Sequence, residues 1–327
     1  MNMNEPENFA GLRGSLRFNE PMSRHTSWRV GGVAERLYQP ADLEDLCAFL
    51  KSLPAAEPLL VLGLGSNLLV RDGGIRGTVI LMHGALRELR MEENGLIYAQ
   101  AGVPGAKLAR FAALHDKSGA EFFAGIPGTL GGMLAMNAGC YGGETWNCVV
   151  KAEIVTRRGE ILVRNPEEYE IGYRHVERIE ARGGRSERAS PTGKVEDISL
   201  LGPQYPELFA GAWLEFAPGD GEEARRKIKE LLGRRIASQP LGLPNAGSVF
   251  RNPPNDHAAR LIELCGLKGR CIGRARVSEK HANFIVNEGG ANAKDIEDLI
   301  GLVRDTVEKI TGVKLHAEVR IVGEKHE

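Results

Sequence analysis

Cysteine is scarce in this chain. Its five cysteines (Cys47, Cys140, Cys148, Cys265 and Cys271) are odd in number and form no CxxC pair. That excludes a disulfide framework and a zinc ribbon and fits a reducing compartment. Long apolar runs are missing too, since no stretch approaches the about 18 residues of a membrane span. Residues 1–11 carry neither a basic segment nor an apolar one, which argues against a secretory signal and for a cytoplasmic protein. No sign of charge dominates: 42 Lys and Arg stand against 43 Asp and Glu, a formal net charge of −1. A nucleic-acid partner, which calls for a basic face, is therefore not expected. His175, His281 and His316 show no ligand spacing, so no metal is expected either. There is no internal repeat, and no obligate protein partner is inferred.

Glycine, by contrast, is abundant, with 41 in 327 residues, a length sufficient for two domains with full cores. Two loops concentrate it. Gly63-Leu64-Gly65-Ser66-Asn67-Leu68 begins like a dinucleotide fingerprint, but Leu68 stands where the third glycine belongs and no helix is expected to follow. A tight strand-end turn is one reading. An anion nest is the other, because Ser66 and Asn67 add small donors to free backbone N–H groups. The second loop, Gly125-Ile126-Pro127-Gly128-Thr129-Leu130-Gly131-Gly132, is soon followed by Met136-Asn137-Ala138-Gly139. So many glycines spoil a helix or strand interior, and they suit close backbone approach to a ligand. A buried crossing segment is the alternative.

Around these loops the pattern alternates strands and helices. Residues 27–39 read as a strand broken at Gly31-Gly32. A helix capped by Asp42 follows, with Leu43, Leu46, Phe49 and Leu50 on one face. Strands are expected at 58–62, 78–82 and 96–101, a helix at 106–114, and a hairpin from 151–156 and 160–163. Segment 180–197, rich in Arg, Glu, Ser and Gly, reads as a solvated loop, with a lid as the alternative. A strand at 213–216 leads to a boundary at Gly219–Gly221. Beyond it come a basic helix from 222 to about 238 with Ile228, Leu231 and Leu232 inward, a helix at 257–265 and a strand at 284–286. Asn292, with Asp295 three residues on, starts a long amphipathic helix that Gly312 ends. Residues 313–322 alternate cleanly, so a strand is expected with Glu318 on its polar face.

The chemistry-bearing candidate is Gly247-Ser248-Val249-Phe250-Arg251-Asn252-Pro253, a serine on a glycine-flanked irregular segment. Taken alone, Ser248 reads as a turn serine bonded to its own backbone. Arg174, in Gly172-Tyr173-Arg174-His175, reads as a surface arginine, and Glu318 as a solvated partner of Arg320 or Lys314. Together with the two loops, however, these segments resemble the UDP-N-acetylenolpyruvoylglucosamine reductase family, flavoenzymes of peptidoglycan precursor synthesis. The likeness covers nearly the whole chain, and the loops are similar to those of flavoproteins related to vanillyl-alcohol oxidase and para-cresol methylhydroxylase (PCMH).

The resemblance implies an α+β fold with a PCMH-type FAD-binding domain at 1–219 and a smaller α+β substrate domain at 220–327. It implies non-covalent FAD, held by Gly63, Gly65, Ser66 and Asn67 and by Pro127, Gly128, Thr129, Gly131 and Gly132. NADPH is implied as co-substrate and a UDP-sugar as substrate, with Asn252, Lys280 and Arg320 on the substrate side. Ser248 would donate a proton while Arg174 and Glu318 polarise the substrate carboxylate. The compact chain resembles the subclass lacking an extra tyrosine-bearing loop. Two features depart from the family: the long segment 180–197, and Ser238 where lysine is expected. An oxidase of the same fold acting on a sugar or hydroxy acid, and a non-enzymatic UDP-sugar binder, are the alternatives.

Overall fold

The computed structural model describes residues 9, 11–179 and 207–326; the loop expected at 180–197 lies outside them. A first sheet has the order Ser15–Pro21, Val33–Gln39, Ile75–Leu81, Leu59–Leu62. Its first pair is antiparallel and the other neighbours are parallel. Helix α1, Leu43–Ser52, packs on it. The Asp42 side chain accepts from Asp45 N at 2.9 Å, and Leu46, Phe49 and Leu50 are buried with Leu59 and Ile80.

The strand expected over 27–39 starts only at Val33. Gly31 has φ +122°, and a Cβ on Gly32 would lie 2.3 Å from Asp72 O, so residues 27–32 leave the sheet. This detour carries Trp28 into the opposite end of the chain, where its Nε1 donates to Ile285 O at 2.8 Å.

The second sheet is wholly antiparallel, in the order Ile161–Arg164, Val149–Thr156, Glu207–Leu214, Ile97–Gln100, Leu89–Met91. The expected hairpin is its outer pair. Helices α2 (Gly105–Leu114), α3 (Leu130–Ala135) and α4 (Gly221–Ser238) build its core, in which Leu108, Leu134 and Leu214 meet Ala224 and Ile228. Helix α4 was expected to open the second domain; by packing it belongs to the first. Its glycine start is a close approach, since a Cβ on Gly221 would sit 2.2 Å from Ala113 O.

The C-terminal part holds α5 (Ala258–Leu264), α6 (Ala293–Thr311) and a small antiparallel sheet of Cys271–Ile272, Ala275–Val277 and Ile285–Asn287. Asn292 and Asp295 form the expected capping box, and Gly312 ends α6 at φ +73°. Ile296, Leu299, Ile300, Val303 and Val307 share one core with Trp28.

The strand expected at 313–322 forms only over Arg320–Val322, because no partner strand runs beside the rest. Ala317 makes a single bridge to Phe250, and Arg320–Val322 pairs in parallel with Leu68–Val70. The alternation nevertheless survives as burial, with Leu315, Val319 and Ile321 inside and Lys314 and His316 exposed. The chain's end thus returns to the first glycine loop, a tie that positions everything below.

Candidate active site

Ser248 sits on backbone that is pinned from both sides. Gly247, at φ +74° with nothing within 4 Å of a Cβ position, allows the turn into it. Val249 N donates to Asn283 O, and buried Asn283 brackets Phe250, accepting from its N at 2.9 Å and donating to its O at 2.8 Å. Phe250 itself is packed in the C-terminal core. The Ser248 hydroxyl is half-buried, faces a cavity, and has no hydrogen-bond partner among the described residues.

Glu318 is brought beside it by backbone alone. Its N donates to Val249 O at 2.7 Å, and its carbonyl accepts from Asn67 Nδ2 at 3.1 Å. One short segment is therefore tied both to the serine strand and to the first glycine loop.

Arg174 arrives from a hairpin of Tyr169–Gly172 and His175–Arg178, whose two-residue turn it closes at φ +54°. A non-glycine residue held there costs about 1–3 kcal/mol and persists only where its surroundings enforce it. Asn137, buried and itself at φ +38°, does so by donating to Gly172 O at 3.2 Å and to Glu144 Oε2 at 2.9 Å. Arg174 Nε lies 2.7 Å from Glu318 Oε1, with 18% and 12% of the two side chains exposed. The Nε–H is not aligned for a hydrogen bond, so the contact is an ion pair whose donors can turn to another oxygen. Burial pushes the Glu318 carboxyl above its ordinary value, and Arg174 offsets that only in part.

The same cavity is walled on its other side by Ser66, Asn67, Pro127, Gly128 and Gly132. A Cβ on Gly132 would meet nothing, and one on Gly128 nothing nearer than 3.8 Å, so both glycines leave open space toward the cavity. Gly63, Gly65, Thr129 and Gly131 stand behind this wall. A Cβ on Gly63 would lie 2.4 Å from Thr129 Oγ1, one on Gly65 2.0 Å from His25 O, and one on Gly131 2.9 Å from Ala101 Cβ. These positions let the loops pack. Thr129 Oγ1 is buried without a partner, a donor left over next to the wall. A bare-backbone wall with small hydroxyl and amide groups fits a flavin nucleotide, whose phosphates take such donors.

Three expected substrate-side residues do not line the cavity. Asn252 Oδ1 accepts at 3.1 Å from the N–H of Ala258, the first residue of α5. Lys280 Nζ donates to Ile236 O at 2.7 Å, at the C-terminal end of α4. The Arg320 backbone belongs to the strand beside the loop, its N donating to Asn67 O at 3.0 Å. Local sequence could not separate these structural tasks from ligand binding.

Conversely, Arg235, Gln239, Met133, Met136, Cys140 and Phe284 line the cavity unanticipated. Arg235 had a signal: it continues the buried stripe Ala224, Ile228, Leu231 at helical spacing. Burial pushes the Cys140 thiol up to about 11, so it stays neutral. Among the described residues no group of three or more His, Cys, Asp or Glu could hold a metal, and no helix is long and apolar enough to cross a membrane.

Residues 239–322 match the family model described as UDP-N-acetylenolpyruvoylglucosamine reductase, C-terminal domain, and residues 34–164 match an FAD binding domain. The chain is similar to the UDP-N-acetylenolpyruvoylglucosamine reductase of Nitrosospira multiformis, 57% identical over 96% of this chain and 90% of that protein. The protein of the same name from Methylococcus capsulatus is 55% identical, over 96% of this chain and 95% of that one. Among solved structures, UDP-N-acetylenolpyruvylglucosamine reductase from Thermus caldophilus superposes with a TM-score of 0.73 at 30% identity. That likeness covers 95% of this chain and 99% of that one.

Proposed function

Because the chain belongs to the UDP-N-acetylenolpyruvoylglucosamine reductase family, we propose that the cavity between the glycine loops and Ser248 is its reaction chamber. The protein is an FAD-dependent oxidoreductase that reduces the enolpyruvyl ether of UDP-N-acetylglucosamine to UDP-N-acetylmuramate, a step of peptidoglycan precursor synthesis. An oxidase acting on another sugar or hydroxy acid is not favoured by these relatives. The observation that carries the site assignment is the convergence of Arg174, Glu318 and Ser248 on one cavity that the glycine wall also faces.

We assign the flavin to Ser66, Asn67, Pro127, Gly128 and Gly132, with the Thr129 hydroxyl as a further donor. Gly63, Gly65 and Gly131 shape the loops behind. The chemistry that FAD supplies when bound is a hydride to the terminal carbon of the enolpyruvyl double bond. NADPH is the proposed source of those electrons and the cytoplasm the proposed setting.

The chain's own residues have two tasks. One is to stabilise negative charge spreading onto the substrate carboxylate; the other is to protonate the carbon next to it. Arg174 turns donors to the carboxylate. Glu318, raised by burial, is raised further by the arriving like charge, which shifts it toward the protonated form that donates a hydrogen bond instead of repelling. The Ser248 hydroxyl, with no competing partner, delivers its proton to the basic carbon and is reprotonated from solvent. The electron count closes with one hydride and one proton added across the double bond.

An anaerobic test decides the reading. The purified protein is reduced with NADPH, the enolpyruvyl substrate is added, and flavin reoxidation is followed by absorbance. Prompt reoxidation is expected. A reduced flavin that waits for oxygen would instead favour an oxidase.

A further inference from the structure

Arg174 is the cation at the reacting end of the cavity, but it is not the only arginine there. Arg235 lines the same cavity from the last turn of α4. It stands on the buried stripe of that helix, where an arginine is out of place unless its charge is needed. Its guanidinium has no carboxylate within ion-pair distance among the described residues. Its one hydrogen bond runs from Nε to Gln239 Oε1 at 3.0 Å, and Gln239 also lines the cavity. No acceptor for its terminal nitrogens is found among the described residues.

Desolvation pulls this guanidinium below its ordinary value, with only neutral Tyr141 and Cys140 nearby to offset it. Cys140 lines the same cavity as both arginines, and its thiol, kept neutral by burial, is no counter-charge for either. Lys280 caps α4, and Ser238, one turn beyond Arg235, bonds Arg234 O at 2.9 Å and brings no charge.

A half-buried guanidinium whose free donors face a cavity calls for a doubly bonded oxyanion. The substrate has two anionic centres. Its carboxylate is taken by Arg174 and Glu318 beside Ser248, and the flavin phosphates by the loops on the opposite wall. The remaining centre is the diphosphate of the UDP moiety. We infer that Arg235, held in place by Gln239, is the counter-ion of the substrate diphosphate and thereby fixes which end of the UDP-sugar lies away from Ser248. This inference rests on the function proposed above.

The test is calorimetric titration of UDP, and separately UMP, into FAD-loaded oxidised protein, comparing wild type with Arg235→Gln and Arg235→Lys. Flavin content and the rate of flavin reduction by NADPH are measured on each. Wild type should prefer UDP to UMP. Arg235→Gln should lose UDP affinity by about 10- to 100-fold, the scale of charge-assisted hydrogen bonds, while UMP affinity barely changes. Arg235→Lys, which keeps the charge and loses the fork, should fall between. It also decides the matter should Arg235→Gln not fold, because an unchanged UDP-to-UMP preference in it overturns the assignment.

Loss of flavin, or of NADPH-driven reduction, with UDP binding intact would place Arg235 on a different phosphate and overturn it as well. Failure of the wild type to bind UDP would sink the functional reading itself, an outcome distinct from normal wild-type binding with an indifferent variant.

Discussion

Ser248→Ala separates mechanism from fold because the hydroxyl it removes has no structural duty. No described residue bonds it, while the neighbouring backbone is fixed independently by Asn283 and Glu318 N. The loss in folding stability should therefore stay within about 0.5 kcal/mol, the range of unengaged positions. Flavin binding and reduction by NADPH should be unchanged, since neither needs a proton from Ser248. The step that reoxidises the flavin with the enolpyruvyl substrate should slow by about 10²-fold or more, as for loss of a general acid. That corresponds to about 2.7 kcal/mol of barrier. Stopped-flow absorbance under anaerobic conditions reads both half-reactions on one sample. Ser248→Cys should recover part of the rate, because a thiol at similar reach is the better acid. Reoxidation of Ser248→Ala at the wild-type rate would refute the reasoning and leave proton delivery to another group or a water.

The glycine loops divide into two kinds with different outcomes. Gly65→Ala places a Cβ 2.0 Å from His25 O at φ +60°, so it should destabilise the protein by about 1–3 kcal/mol or more, read by thermal melting. Gly132→Leu fills open space in the cavity wall, so it should leave the melting temperature of the flavin-free protein near wild type while the protein purifies depleted of flavin. Full flavin retention in Gly132→Leu would count against that wall as the flavin side. Glu318 gives a pH signature. Its carboxyl titrates above the ordinary value, so the protonated form is favoured at lower pH and lost as pH rises through the raised value. Substrate KM should climb in that window for wild type, and Glu318→Gln, which cannot ionise, should show a flat profile there; parallel profiles would remove Glu318 from carboxylate binding.

Much was legible from local pattern, because local physics decides it. The Asp42 cap, the Asn292–Asp295 box and the Gly312 terminus rest on a few adjacent residues, and the structure reproduces each. Amphipathic spacing placed Leu46, Phe49 and Leu50 and, on α6, Ile296, Leu299, Ile300, Val303 and Val307 in their cores, whereas Ile310 at the end of that face is exposed. The grouping of Arg174, Ser248 and Glu318 came from resemblance alone. Read singly, each had an ordinary explanation, since nothing local announces that residues 174, 248 and 318 meet.

Tertiary structure decided the rest through long-range pairing. Asn67 holds Glu318 O, Val249 O holds Glu318 N, and Trp28 crosses to Ile285, contacts between segments far apart in the chain. It reassigned α4 to the first core, because burial depends on what faces the helix and not on the glycines before it. It gave the Asn252 and Lys280 side chains backbone partners in Ala258 N and Ile236 O. The run 313–322 shows the division within one segment. Its alternation, and so which side chains point inward, was written in the sequence, whereas a strand also needs a neighbour to bond, and only the folded chain supplies one, at Leu68–Val70.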